Sequence, residues 1–349
     1  MSGEPLRGDL TRLLEAVAGG RGLTADEAEA AFDCFMDGSA AEVQMAGLLM
    51  GLRTRGMLPA EVAGGVRALR KAMLRVRSSD PDALVDTAGT GGGAVGTFNV
   101  STAAALVAAG AGVAVAKHGN RSFTSRCGSA DVLEALGVDI QLTPERMAEV
   151  LEEAGIVFMF APLLHPAMRH VGPVRRALGI TTIMNVLGPL TNPAGARRQV
   201  VGVADPALLP LIAGALRELG HIRALVIHGE PGMDEVSPLG ETRVVELAGE
   251  EIREYGVSPE MLGVEPIERA DGLAGGDPPA NAAVIERVLG GEHGPARSAV
   301  VMNAAAALLV GGAADSWEDC ARLAERSLDQ GRAGAALERL RAASRRGAA

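Results

Sequence analysis

Residues suited to binding phosphate are concentrated in one stretch of the chain, 86–131. This stretch includes a glycine-rich loop over 89–96 that follows an apolar run. Only glycine allows successive residues to take positive φ and brings main-chain amides close to a ligand. The loop leads into an alanine-rich predicted helix, and its amino terminus, at Asn99, Ser101 or Thr102, favours an anion. The pattern predicts a site for a phosphorylated ligand.

A second apolar run, 112–116, predicts a strand that ends just before Lys117-His118-Gly119-Asn120-Arg121-Ser122. Two strand ends would then present a glycine cradle and a cationic, hydroxyl-rich loop. The glycines match neither the dinucleotide fingerprint GxGxxG nor a Walker loop, since no Gly-Lys-Ser/Thr follows them. An ordinary tight turn that uses glycines is the alternative, and the second loop makes that alternative less favoured.

Two adjacent carboxylates, Asp234 and Glu235, lie in a loop after an apolar run that ends at Ile227. Phosphate-bound Mg²⁺ prefers oxygen ligands and usually takes one or two protein carboxylates. An isolated pair of this kind is most often a solvated surface feature. Its place after a strand, in a chain with a phosphate loop, favours a metal site instead.

Several longer motifs resemble anthranilate phosphoribosyltransferase, along nearly the whole chain and in order. They are GTGG at 89–92, TFNVST at 97–102, KHGNRS at 117–122, GSADVLEALG at 128–137, HPAMRHVGPVRRALG at 165–179 and NVLGPLTNPAG at 185–195. The resemblance implies transfer of a phosphoribosyl group from phosphoribosyl pyrophosphate (PRPP) to the amine of anthranilate, with Mg²⁺, in tryptophan biosynthesis. It also implies a homodimer formed through a small helical domain.

The resemblance assigns binding residues position by position. For PRPP it implies Gly89, Gly92, Gly93, Thr97, Asn99, Val100, Ser101, Thr102, Lys117, His118, Gly119, Asn120, Arg121, Ser122, Phe123, Thr124, Ser125 and Ser129. For anthranilate it implies Gly89, Asn120 and Arg175, and for the metal Ser101, Asp234 and Glu235.

The roles of two of these residues stay open on the residues alone. The Arg175 guanidinium could clamp a benzoate carboxylate through two parallel hydrogen bonds, but an arginine on a helix surface beside Arg176 is the simpler interpretation. His118 could be a general base, a hydrogen-bond donor or a packing group. Because the reaction asks mainly for positioning and electrostatic stabilisation, we assign no catalytic acid or base.

The sequence departs from the family pattern at three places. The family's GTGGD ends here in Gly93, so that one acidic group beside the pyrophosphate is missing. The family's KSGSAD reads Arg126-Cys127 before Gly128, and a valine-serine pair is replaced by Phe123-Thr124. These changes leave the predicted fold alone and bear on metal dependence, affinity or substrate choice.

Composition sets outer limits on function. The chain has 349 residues, is 48% hydrophobic and only 2% aromatic, so alanine and aliphatic residues must build a large core. A net charge of −10 argues against general nucleic-acid binding as the main role. Three isolated cysteines fit reduced thiols, and neither a signal sequence nor a membrane span is predicted, so we expect a cytoplasmic protein.

The predicted fold class is α/β, with a small all-helical domain and a large domain whose mainly parallel sheet is covered by helices. We place the helical domain at 1–78, joined in space by part of 166–195, and the PRPP-binding domain at 79–349. Short strands are predicted at 83–85, 112–116, 156–160, 199–203 and 224–227, and a frayed tail at 344–349. The stripe Met45, Leu48, Leu49, Leu52 is either core or a dimer face.

Two other functions remain open at this point. A pyrimidine nucleoside phosphorylase has a related architecture and also pairs a glycine loop with a lysine-serine loop. A noncatalytic relative that binds nucleic acid through a basic surface is the second. The segments PVRRALG and LGPLTNPAG disfavour the first, and the acidic composition with its Asp234-Glu235 pair disfavours the second.

Overall fold

The amino-terminal part of the chain is a helical bundle in the computed structural model, which describes residues 7–122 and 126–346. Its helices are α1 (Arg7–Ala18), α2 (Ala25–Met36), α3 (Glu42–Arg55) and α4 (Pro59–Ala72). Thr24 and Glu27 form the capping box expected before α2, each bonding the backbone amide of the other. Met45, Leu48, Leu49 and Leu52 are all buried within the chain, so this stripe is core and not an open dimer face.

The second domain is built on a sheet that has seven strands within the described residues, in the order β3-β2-β1-β4-β5-β6-β7. The strands are β1 (Val85–Gly89), β2 (Val115–Gly119), β3 (Ile156–Phe160), β4 (Arg198–Gly202), β5 (Arg223–Gly229), β6 (Thr242–Ala248) and β7 (Glu251–Val257). The pairs among β1 to β5 are parallel, whereas β6 and β7 are antiparallel. The chain therefore combines a small helical domain with a large α/β domain, as predicted.

Eleven more α-helices follow the bundle in the described residues, and several of them cover both faces of this sheet. They are α5 (Val100–Gly110), α6 (Ser129–Ala135), α7 (Pro144–Ala154), α8 (Ala161–Leu164), α9 (Met168–Leu178), α10 (Ile183–Leu187), α11 (Leu208–Glu218), α12 (Pro278–Leu289), α13 (Pro295–Gly311), α14 (Trp317–Asp329) and α15 (Arg332–Arg345). No helix in the described part of the chain is long and apolar enough to cross a membrane.

Alternate residues of the central strands belong to two hydrophobic clusters. Leu225 and Ile227 of β5 face a cluster that includes α5 and α13, while Ala224 and Val226 face one that includes the helical bundle and α11. Side chains of a strand alternate between the two faces of a sheet, so β5 separates the clusters. The bundle thus packs against the sheet through α11 and also contacts α9 and α10.

Several predicted boundaries were wrong. The first two strands lie two to three residues further along, over Val85–Gly89 and Val115–Gly119, because the strands extend into the glycine and lysine motifs. The antiparallel pair β6 and β7 was not predicted at all. The predicted frayed tail, 344–349, is helical through Arg345, since Ser344 is buried and its Oγ accepts a hydrogen bond from the Asp139 amide, while 347–349 lie outside the described residues.

Candidate active site

Four parallel strands end in glycine at the same edge of the sheet: Gly89, Gly119, Gly202 and Gly229. Gly89 pairs with Gly202 in the β1–β4 register. The absence of side chains at these ends leaves room for loops to fold back over the carboxyl edge, where open α/β sheets bind ligands.

The carboxylate loop fills this room. A Cβ added to Gly202 would lie 1.7 Å from the carbonyl oxygen of Asp234, and one on Gly229 would lie 2.5 Å from that of Glu235. The amide of Gly91 donates to Asp234 Oδ2 at 3.0 Å. The glycine loop and the carboxylate loop, far apart in sequence, are therefore in direct contact at this edge.

The two carboxylates lie in an environment that disfavours their charge. Burial raises the pKa of Glu235 well above its usual value, and the neighbouring charge of Asp234 adds to this, against the Ser101 amide and Lys117. Burial also raises the pKa of Asp234. Glu235 Oε2 is buried without a hydrogen-bond partner among the described residues. A carboxylate oxygen in this state is suited to a cation.

Lys117 does not lie in a loop, as the sequence suggested, but within β2, where it is only 4% exposed. Its Nζ donates to the carbonyl oxygen and Oγ1 of Thr87, at 2.5 and 3.1 Å, and to Ser101 Oγ at 3.3 Å. Burial lowers its pKa to about 8, so the ammonium is charged at neutral pH. The lysine places one positive charge beneath the glycine loop and beside Ser101.

Asp86 is a fully buried carboxylate that sequence reasoning did not single out. Its Oδ1 accepts from the His118 amide at 3.1 Å and its Oδ2 from Gln199 Nε2 at 3.2 Å. Burial raises its pKa to about 6, although hydrogen bonds and Lys117 act in the opposite direction. Asp86 ties β1 to both neighbouring strands below the site.

His118 pairs with a residue that was also missed, His165. Their Nε2 atoms are 3.2 Å apart and their ring centroids 5.1 Å apart. Burial lowers the pKa of His118 to about 3 and that of His165 to about 4. Both imidazoles are therefore neutral near pH 7, and one must donate to the other. His165 opens the HPAMRHVGPVRRALG motif, which was the available signal.

The loop after β2 rests on the start of α6. The Asn120 carbonyl accepts from the Ala130 amide and from Ser129 Oγ, both at 3.3 Å. The Arg121 guanidinium is bonded to Asp131 and Glu134. Asn120 and Ser129 are thus in contact, whereas the Arg121 guanidinium points to protein carboxylates, and the proposed role of all three in binding PRPP stays a prediction. The predicted ligands Phe123, Thr124 and Ser125 lie outside the described residues.

The far side of the glycine loop contacts the start of α12 and the segment that precedes it. The Phe98 amide donates to the Leu273 carbonyl at 2.9 Å, and Asn281 Nδ2 donates to Asn99 Oδ1 at 2.9 Å. Asn99 is the residue before α5, as expected, and Asn281 has no local signal in the sequence. Val100, Ser101 and Thr102 form the first turn of α5, with Thr97 just before it.

Arg175 lies in α9, which packs against α2 and α3 of the bundle. The structure shows no hydrogen bond or ion pair between its guanidinium and any of the residues it describes. Burial lowers its pKa. A partly buried guanidinium in this state is suited to an anionic ligand, but no contact among the described residues joins it to the two loops, so its role stays a prediction.

The residues at this edge fit Mg²⁺. No group of three or more acidic, histidine or cysteine side chains in the described part of the chain could hold a metal by itself. Two adjacent carboxylates with an unpartnered buried oxygen, next to the hydroxyl of Ser101, match a metal that keeps phosphate and water in its shell.

Both domains of this chain match the models of one protein family. Residues 81–334 match the glycosyl transferase family a/b domain, and residues 11–73 match the helical bundle domain of the same family. The fold and the site thus define a glycosyl transferase of this two-domain class.

Individual proteins that are similar to this chain show which member of the class it resembles. Anthranilate phosphoribosyltransferase of Rubrobacter xylanophilus is 53% identical over 97% of this chain and 98% of its own. The crystal structure of the Thermus thermophilus enzyme has 46% identity and a TM-score of 0.90, over 95% of this chain and 99% of its own. The Saccharomyces cerevisiae enzyme in complex with PRPP and Mg has 26% identity and a TM-score of 0.87, over 97% and 98%. This chain belongs to the anthranilate phosphoribosyltransferase family.

Proposed function

We propose that this chain transfers the 5-phosphoribosyl group of PRPP to the amine of anthranilate, giving N-(5-phosphoribosyl)anthranilate and pyrophosphate in tryptophan biosynthesis. The observation that carries the proposal is the contact between the glycine loop and the carboxylate loop, through Gly91 and Asp234. This contact brings the loop proposed to bind phosphate and the carboxylates proposed to hold the metal to one edge of the sheet. The relative with bound PRPP and Mg, and a second yeast structure with 4-fluoroanthranilate, support the substrates.

The chain's own groups act mainly by position and charge. The weakly basic amine of anthranilate attacks C1 of the ribose, the C1–N bond forms as the C1–O bond to pyrophosphate breaks on the opposite face, and the nitrogen then loses one proton to water. Negative charge develops on the leaving group, and we propose that the glycine loop and the buried Lys117 ammonium beneath it stabilise that charge. The neutral His118–His165 pair is unsuited to donate a proton near pH 7, so we assign no catalytic acid.

Asp234, Glu235 and the Ser101 hydroxyl would hold Mg²⁺. When bound, the ion supplies charge neutralisation of the pyrophosphate group. The remaining PRPP ligands proposed from the resemblance are the glycine loop with the start of α5 and the loop that follows β2. For anthranilate we propose Asn120, Arg175 and the backbone near Gly89.

The direct test mixes purified protein, PRPP, Mg²⁺ and anthranilate, and follows the loss of anthranilate fluorescence. We expect the anthranilate fluorescence to fall only when protein, PRPP and Mg²⁺ are all present, and pyrophosphate to be released at the same time. Phosphorolysis of a pyrimidine nucleoside without anthranilate turnover would support the phosphorylase alternative. A gel shift with nucleic acid, again without turnover, would support the noncatalytic one.

We also propose a boundary near residue 78 between the helical and PRPP-binding domains, with part of 166–195 joining the first. The described contacts of α9 and α10 with the bundle support this arrangement. Finally, we propose a cytoplasmic homodimer formed through the helical domain. Val43 on α3, which is 77% exposed, supports an apolar contact there. Light scattering of the wild type and of Val43→Lys tests the dimer.

A further inference from the structure

Arg121 belongs to the loop proposed to bind PRPP, yet its guanidinium is already occupied. Its Nη1 lies 2.6 Å from Asp131 Oδ1 and 2.6 Å from Glu134 Oε2, and its Nη2 lies 2.8 Å from Glu134 Oε1. The guanidinium carbon is also 5.5 Å from the centre of the Phe160 ring. The two bonds to Glu134 are parallel, which is the strongest geometry for this pair of groups.

The same carboxylate cluster holds the loop backbone. Asp131 Oδ2 accepts from the Gly128 amide at 2.8 Å and from the Ser122 amide at 3.4 Å. A Cβ at Gly128 would lie 2.3 Å from the Ser122 nitrogen, so the two sides of the loop are in close contact. Arg121 is thus one of several links that fix this loop on α6.

The net charge of the cluster formed by Arg121, Asp131 and Glu134 indicates that it positions the loop and does not attract the substrate. One guanidinium with two carboxylates carries one net negative charge, which repels a polyanion such as PRPP. Three of the five N–H donors of Arg121 already bond these carboxylates, so a phosphate would have to displace them or share the guanidinium with them. A role that keeps those bonds needs no such rearrangement.

We propose that Glu134 is a positioning residue for PRPP binding. It holds Arg121 against α6 and thereby places the neighbouring Asn120 and Ser122 for the substrate. This inference deepens the proposed function and rests on it. The contrary possibility is that Glu134 withholds Arg121 from the phosphates until PRPP binds.

The two possibilities predict opposite signs for Glu134→Ala. Calorimetry with PRPP and Mg²⁺, without anthranilate, should show PRPP affinity weakened about three- to tenfold, with a smaller loss for Glu134→Gln, which keeps one acceptor oxygen. The KM for PRPP should rise in parallel while kcat stays within about twofold. Glu254→Ala is the control, because it breaks a surface ion pair of similar length, 2.7 Å to Arg243, on the β6–β7 hairpin. Glu254→Ala should leave the PRPP affinity, the KM for PRPP and kcat unchanged.

A double variant shows whether Glu134 acts through Arg121. In the Arg121→Met background, Glu134→Ala should cause no further loss of PRPP affinity. An additive loss, unchanged affinity, or tighter binding by Glu134→Ala alone would each overturn the proposal.

Amide hydrogen exchange of the ligand-free protein separates this inference from the proposed function. In Glu134→Ala we expect faster exchange at the amides of Ser122 and Gly128, and no change in Glu254→Ala. Unchanged exchange would refute the positioning role even in an active enzyme. A wild type that neither binds PRPP nor consumes anthranilate would refute the proposed function, whatever the exchange result.

Discussion

Asp131, in the first turn of α6, and Glu235, in the carboxylate loop, both lie near the carboxyl edge of the sheet, and their surroundings differ in one respect. Asp131 accepts from two backbone amides and from Arg121, so its pKa lies below the usual value although burial acts to raise it. Glu235 has a raised pKa and an oxygen without a partner among the described residues. The first carboxylate is satisfied by the protein, and the second is not.

The difference shows how a structural charge can be told from a ligand-binding charge. A buried charged group without partners costs folding free energy unless something else neutralises it. The guanidiniums of Arg121 and Arg175 differ in the same way. Arg121 donates three hydrogen bonds to carboxylates, whereas the Arg175 side chain makes no hydrogen bond with the described residues. Substitutions on the two sides of this contrast should therefore have different consequences.

The largest effect is expected for the two buried carboxylates whose pKa values are raised, Asp234 and Glu235. Asp234→Ala or Glu235→Ala should lower kcat about a hundredfold or more, because the proposed metal ligands are lost. Their melting temperatures without Mg²⁺ should stay equal to or above that of the wild type, since a poorly solvated charge is removed. Steady-state rates at saturating Mg²⁺ and thermal melts measure both quantities.

Glu230→Ala serves as the control for this pair. Glu230 is an exposed carboxylate of the same loop, and its side chain should be dispensable. Turnover by Glu235→Ala within about twofold of the wild type at saturating Mg²⁺ would remove Glu235 from the metal site.

The next largest effect is expected at Arg175, whose guanidinium has no hydrogen bond or ion pair among the described residues. Arg175→Ala should raise the KM for anthranilate about ten- to a hundredfold, the usual result of losing about 1.5 to 3 kcal/mol from a charge-assisted contact, with little change in the KM for PRPP. Arg176→Ala, at the exposed neighbouring position, should change neither constant. A raised KM for PRPP alone would move Arg175 to the phosphate site.

Asp86 is an intermediate case, because it has hydrogen-bond partners and yet a pKa raised to about 6. The folded protein then binds a proton more tightly than the unfolded chain does, so its free energy of unfolding falls as pH rises from about 4 through about 6. Between pH 4.5 and 7.5 this amounts to about 2 kcal/mol.

Urea unfolding of the wild type and of Asp86→Asn at both pH values isolates this contribution. As pH rises from 4.5 to 7.5, the free energy of unfolding of the wild type should fall by about 2 kcal/mol relative to that of Asp86→Asn. Parallel pH profiles would mean that the Asp86 carboxyl titrates normally.

The sequence predicted the fold class and the groups at the site better than their contacts. The glycine loop and the Asp234-Glu235 pair were recognised as separate motifs, but the bond from Gly91 to Asp234 spans 143 residues and has no local signal. Lys117 was placed in a loop because charged residues are rarely buried. In the structure, three hydrogen bonds to Thr87 and Ser101 make its burial possible.

Other misses have similar causes. The edge strand β7, Glu251–Val257, carries several charges, so composition alone disguises it. Asn281 and Gln199 become informative only when the fold brings them to Asn99 and Asp86. In each case a long-range contact decided what local composition could not.

The smallest expected effect concerns Gly93, where the chain lacks the family's aspartate. Gly91 and Gly92 have φ of 70° and 86°, but Gly93 is not among the residues with positive φ. A Cβ there would lie 2.9 Å from Asp234 Oδ1 and 3.2 Å from the Gly232 carbonyl oxygen. An added carboxylate would therefore crowd and repel an already unfavourable charge.

Gly93→Asp should steepen the Mg²⁺ dependence of the initial rate and raise the KM for PRPP at low Mg²⁺ by about fivefold, because repulsion between unit charges about 4 Å apart in water is roughly 1 kcal/mol. High Mg²⁺ should restore the KM, since the ion neutralises both carboxylates. Gly93→Asn has nearly the same shape without the charge, so it should share any loss of melting temperature but keep the Mg²⁺ dependence of the wild type. If Asp and Asn variants give superimposable Mg²⁺ titrations, contact and not charge determines what this position does.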